Sequence, residues 1–279
     1  MAPLHLGAAI VAAAAWIALA WPACGPFDLS ARAEPAVENQ VDTADESSPG
    51  NQADKDARQR DREKMLQAMR AKAQTLKVRD SADDTGDALP MLSEPLFRYS
   101  DQPRRILDAS LWAWGRKGRP EVMAKVEGYD RPQGTQWLFC VVSLSSATVT
   151  VDPADGGHVW SSTEPGMELQ TLDDGPEPAA SKAGRLRQMK EVARRFSATI
   201  TVDPNEQNVQ EMRFLPQPIH RYGDDQPGGM SGALFGFTTN GTNPDALLAI
   251  ELARQEESAF AWRYALAGMT QGGLSVKLD

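Results

Sequence analysis

The chain has 279 residues, 41% of them apolar and 24% charged, with a net charge of −9 and two cysteines. That length carries one or two domains, and two cysteines do not make a disulfide framework. No CxxC or Cys/His spacing is present, so no metal and no cofactor are expected.

The first residues, MAPLHLGAAIVAAAAWIALAWPACG, hold a charge-free apolar run over residues 6–21. The run is short for a membrane span and suits the core of a signal peptide. Small residues follow, with a cleavage position after Ala33, so residues 1–33 read as a signal peptide or an N-terminal anchor. Cys24 offers a lipidation position, although Trp21 stands where a lipidated cysteine normally has Leu. Each reading places the body of the protein outside the cytoplasm, in the periplasm or cell envelope. Residues 34–56 carry seven acids, one Lys and no aromatic, Leu or Ile. They bury too little apolar surface to offset ordering entropy and read as a disordered tether. The tether holds −6 of the net charge, so the low pI says little about the folded part.

Two later stretches repeat a pattern. PLFRYSDQPRRILDASLWAW (Pro95–Trp114) and PIHRYGDDQPGGMSGALFGF (Pro218–Phe237) share Pro, Arg-Tyr and Asp in register, 123 residues apart. TLKV at Thr75 aligns with TITV at Thr199, Pro120 with Pro244, Glu127 with Glu251, and Trp137 with Trp262. Two units are therefore expected, 57–152 and 181–279, joined by a linker over 153–180 with room for a hairpin. Each opens with a helix: Met65, Leu66, Met69, Ala73 and Leu76 share one face, as do Leu186, Met189, Ala193, Phe196 and Ile200, with Ser181 as N-cap. The pattern then shifts toward period two through SLWAWG, EVMAKVEGY, WLFCVVSLS and TVTVD, and again through ALFGFT, DALLAIELA, WRYALAGMT and LSVKLD. The expected fold is α+β: two tandem repeats side by side, each an N-terminal amphipathic helix followed by a four- to five-stranded antiparallel meander.

The polar candidates are Arg98, Tyr99 and Asp101, and their counterparts Arg221, Tyr222 and Asp224. Such a trio offers a guanidinium fork, a stacking ring and an acceptor to a ligand, or else fastens a turn. Its presence in both halves favours the turn. The aromatics Trp112, Trp114, Phe235 and Phe237, with Trp137 and Trp262, read as filling between sheet and helix, with a ligand groove as the other reading. Residues 58–72 hold six basic side chains against two acids, and residues 182–195 six against one. Those helix backs read as solvated faces, with a polyanion surface as the alternative and no nucleic acid expected. Ser231 in GGMSGA with His220 is the one nucleophile–base pairing available, and it lacks the second Gly of a hydrolase elbow. Cys140 reads as a small buried hydrophobe. Glu127 and Glu251 recur as strand-end carboxylates.

The P-x-x-R-Y-x-D and G-T-N-P phrases resemble those of a group of exported bacterial proteins of the planctomycete kind, over Met65 to the C-terminus. The resemblance implies export and an internal duplication, and no activity or functional residue comes with it. The chain reads as a non-enzymatic cell-envelope binding or interaction module whose partner is a small molecule or an envelope protein, with a ligand at the seam near the two Arg-Tyr pairs. The alternatives are a structural envelope protein that pairs through an exposed sheet edge, and a serine hydrolase using Ser231 and His220.

Overall fold

The computed structural model describes residues 15–18, 49–81, 86–116, 118–154, 159–201, 208–223, 230–254 and 260–279. Strand β1 (Ala15–Ala18) is followed by helix α1 (Pro49–Gln74), β2 (Leu76–Asp80), β3 (Phe97–Asp101), β4 (Ile106–Trp114), β5 (Val122–Tyr129), β6 (Gln136–Ser143) and β7 (Val149–Pro153). The short strands β8 (Trp160–Ser161) and β9 (Gln170–Thr171) lie in the connection. Then come α2 (Lys182–Ala193), β10 (Phe196–Thr201), β11 (Val209–Gly223), β12 (Ser231–Thr238), β13 (Ala246–Arg254), β14 (Phe260–Gly268) and β15 (Gly273–Leu278).

Ala, Gln, Arg and Lys dominate α1, all strong helix formers. It begins at Pro49, inside the stretch read as a tether. Only its last turns pack, through Met69 and Ala73 with Met65 and Leu66 beside them. α2 starts at Ser181, whose Oγ accepts from the Gly184 amide at 3.0 Å, a standard N-cap. Leu76, Phe196 and Ile200 fit the helical spacing but lie in strands.

The strand pairing corrects the expected fold. The second half is one seven-stranded sheet in the order β15-β10-β11-β12-β13-β14-β9, and not a four- to five-stranded meander. The first half divides into a five-stranded sheet, β1-β6-β5-β4-β3, and a three-stranded one, β2-β7-β8. In both halves the strand after the helix pairs with the last long strand, β2 with β7 and β10 with β15. The difference lies in one strand. β11 has 15 residues and pairs with β10 at one end and β12 at the other, across an irregularity between Leu215 and His220. Pro216 and Pro218 fall in that irregular stretch, where their missing N–H groups cost no ladder bond. Its counterpart β3 has five residues and reaches only β4. β9, from the linker, joins the second half through Arg263–Thr171 and Tyr264–Gln170.

The two large sheets pack face to face rather than side by side. Leu111, Ala113, Met123, Cys140 and Val142 form one cluster with Leu234, Leu247, Ala249, Ala265 and Ala267. On the opposite faces, α1 covers Trp112, Trp114, Val122 and Ala124, and α2 covers Phe235, Phe237, Leu248 and Ile250. The result is four layers: helix, sheet, sheet, helix. Strands buried on both faces read as nearly unbroken apolar runs.

Candidate functional site

Four charged side chains lie within the layer between the sheets. Lys125 and Glu127 share a face of β5 with Met123, and Glu251 shares a face of β13 with Leu247 and Ala249, since alternate residues point the same way. Asp245 directly precedes β13. None of the four is more than 3% exposed.

The two glutamates sit in matching three-strand rows. Tyr99 of β3 lies opposite Ala109 of β4, which lies opposite Glu127 of β5. Tyr222 of β11 lies opposite Gly232 of β12, which lies opposite Glu251 of β13. A small middle residue lets the tyrosine cross one strand: a Cβ on Gly232 would stand 2.3 Å from the Tyr222 ring. Tyr99 Oη donates to Glu127 Oε1 at 2.6 Å, and Tyr222 Oη to Glu251 Oε1 at 2.9 Å. Burial and the adjacent carboxylate push both phenols well up, so they stay protonated donors.

The rows differ in their remaining partners. Glu127 takes a second hydroxyl, Tyr129 Oη at 2.8 Å. Glu251 takes Arg119 Nη1 from the first half at 2.6 Å, with Arg263 Nη2 at 3.6 Å. Further contacts cross between the halves. Arg104 reaches Asp245 Oδ1 at 3.1 Å and Thr239 Oγ1 at 2.8 Å, and Lys125 Nζ donates to the Met269 carbonyl at 3.2 Å. Buried charges are tolerated only when paired in this way.

The predicted trio separates in space. Arg98 makes a two-pronged ion pair with Asp108 of β4, its Nε bond measuring 2.9 Å, and its Nη2 donates to the Arg62 carbonyl of α1 at 2.7 Å. It ties helix to sheet. Asp101 faces Arg104, whose Nε is 3.5 Å from Oδ2. Arg221 is exposed, and Asp224 lies outside the described residues, as do Cys24 and most of the run 6–21. Trp112 and Trp114 are buried beneath α1 with Trp137 beside them, and Trp112 Nε1 donates to Ser110 Oγ at 2.8 Å. Phe235, Phe237 and Trp262 lie beneath α2, and Trp262 Nε1 donates to the Pro176 carbonyl at 2.6 Å. Within the basic stretch 182–195, Arg185 is held by the Ala180 carbonyl, Lys190 by Gln217, and Arg195 by Asp174.

Ser231 and His220 do not come together. Ser231 lies opposite Gly223, and His220 lies opposite Leu234. In the pleat, Ser231 points with Ala233 and Phe235 toward α2, while His220 points with Leu234 toward the other sheet. His220 stacks on Tyr222 with ring centroids 6.0 Å apart, and burial lowers its pKa. Among the described residues, no group of three His, Cys, Asp or Glu is placed to hold a metal, and no helix is long and apolar enough to cross a membrane.

A cleft opens at the seam. The β4–β5 connection supplies Gly115, Arg116, Gly118, Arg119 and Pro120, Leu92 adds an apolar wall, and His220 closes it from the second half, around about 130 Å³. Of these residues the sequence marked His220 as a candidate base and Pro120 as a repeat match. Arg119 was readable only as part of a turn, because its partner Glu251 is distant in sequence. No family model matches the chain, and neither a curated protein nor a solved structure is similar enough to count as a match.

Proposed function

We propose that the protein is an exported, non-enzymatic binding module of the cell envelope that takes one anionic group, a carboxylate or phosphate, in the seam cleft. The cleft between Arg116, Arg119 and His220 carries this reading. Arg119 is fixed by Glu251 and by a 3.2 Å bond to the Leu144 carbonyl, so it offers a preorganised guanidinium. A volume of about 130 Å³ is room for about four waters, enough for an anionic group and too small for a whole drug-sized ligand. The partner is therefore a small molecule, or an envelope protein that presents such a group. Export rests on reading residues 1–33 as a signal peptide or an N-terminal anchor.

Titration of the purified chain with acetate and with inorganic phosphate, followed by NMR, tests the cleft. Shifts confined to Gly115–Pro120 and His220, and lost in Arg116→Ala and His220→Phe, support it; shifts that both variants leave unchanged reject it. Phe is the residue found at the matching first-half position, Phe97, so that substitution suits the fold. Cell fractionation tests export, and recovery of the whole protein in the cytoplasm rejects it. The edge-pairing alternative is favoured by β15, which among the described residues ends the seven-stranded sheet with a neighbour on one side only. A chain that stays monomeric at high concentration in sedimentation rejects that second reading.

A further inference from the structure

At the end of the first sheet away from the seam cleft, two hairpin turns stand side by side. One joins β3 to β4, the other β5 to β6, and the Asp130 amide donates to the Arg105 carbonyl between them at 3.1 Å. They border a groove of about 470 Å³ lined by Gln102, Arg105, Leu107, Asp130, Arg131 and Pro132, a volume within the range of small-molecule sites.

Arg105 has φ 58°, and among the described residues no other non-glycine residue has a positive φ. Such a conformation is strained for a side chain that glycine would relieve, and strain held in place points toward a use. The fold needs only the backbone there: the Arg105 amide donates to the Gln102 carbonyl at 2.9 Å, a bond glycine would make equally well. The neighbouring Arg104 turns inward to Asp245. Arg105 is exposed on the groove, and among the described residues its guanidinium has no hydrogen-bond or ion-pair partner. Arg131 stands across from it, positioned over the Tyr129 ring at 5.7 Å and bonded through Nε to Gln136 at 3.1 Å. That bond leaves its two terminal nitrogens for another acceptor. Leu107, 41% exposed, is one of the few large apolar side chains open to solvent among the described residues.

We propose that this groove is a second binding site, for a small amphipathic anion: a carboxylate head between Arg105 and Arg131, with a short apolar chain along Leu107 and Pro132. Asp130 selects against dianions by like-charge repulsion and leaves room for one negative charge. The site is independent of the seam cleft and stands or falls without it.

Calorimetric titration of the full chain with octanoate tests the assignment, with acetate lacking the chain and octanol lacking the head. Arg105→Gly is the decisive variant, because glycine adopts the left-handed conformation freely and the fold is kept. Saturable octanoate binding that weakens by about tenfold or more in Arg105→Gly and in Leu107→Ser, while His220→Phe retains it, supports the site. No saturation by about 10 mM, equal affinity in Arg105→Gly, or loss in His220→Phe instead would overturn it. Unfolding curves of Arg105→Gly are expected to match or exceed those of the parent.

Discussion

Arg119 of the first half donates to Glu251 of the second at 2.6 Å, and the carboxylate is 1% exposed. Truncation to Arg119→Ala leaves a buried charge with one hydroxyl and a distant guanidinium. We expect a loss of about 3 kcal/mol, read from urea unfolding midpoints. Arg119→Lys recovers only part of it, because an ammonium cannot hold both Glu251 and the Leu144 carbonyl with a planar fork.

The two tyrosine rows predict unequal costs. Tyr99→Phe leaves Glu127 with Tyr129 as its remaining hydroxyl donor, whereas Tyr222→Phe leaves Glu251 its arginine. The first substitution should cost about 2 kcal/mol and the second about 1 kcal/mol. Equal losses in parallel denaturation curves would refute the asymmetry.

Acid should loosen the seam through Asp245. Burial works to raise this carboxyl, yet Lys125, Arg104 and the Thr239 bonds outweigh it and hold the group below its ordinary 3.8. A depressed folded pKa means that the unfolded chain binds the proton first. The stabilisation is therefore present above about pH 4 and is lost as pH falls through the folded value. Asp245→Asn should be less stable at pH 7 and lose less on acidification, measured as unfolding midpoints at neutral and acid pH.

Burial pushes the Cys140 thiol up to about 12, against an opposing effect of Lys125. The side chain is fully buried between the sheets. A thiol reagent at neutral pH should leave Cys140 unmodified in the native protein and reach it only as urea opens the fold. Because the folded value is the higher one, the thiol's contribution is intact below the unfolded value and fades as pH rises toward 12.

The helix stripes were legible in the sequence at Met69, Ala73 and Met189, all buried under the sheets. Periodicity overran the helix ends, because Leu76 and Phe196 continue the spacing by chance while the chain has already turned into a strand. The second apolar face was harder to see. Trp112 and Trp114 announce one face loudly, whereas Leu111 and Ala113 on the other look like spacers, and the buried sheet-on-sheet cluster is built of Leu, Met, Ile, Val, Cys and Ala without an aromatic. The signal lay in DALLAIELA, too continuously apolar for a strand with one wet side. Glu127 and Glu251 looked like strand-end carboxylates because nothing local marks them as buried. Their cross-strand partners Tyr99 and Tyr222 lie 28 and 29 residues away, and Arg119 lies 132 from Glu251.

The length of β11 gives the two halves different ways of coming apart. In the second half it splices β10 and β15 onto the central strands, so amide exchange there should report one cooperative opening. In the first half the β2-β7-β8 ribbon shares side-chain packing with its neighbours but, among the described residues, no backbone ladder. That ribbon can open while Met69 and Ala73 keep α1 docked on the five-stranded sheet and the inter-sheet ion pairs stay in place.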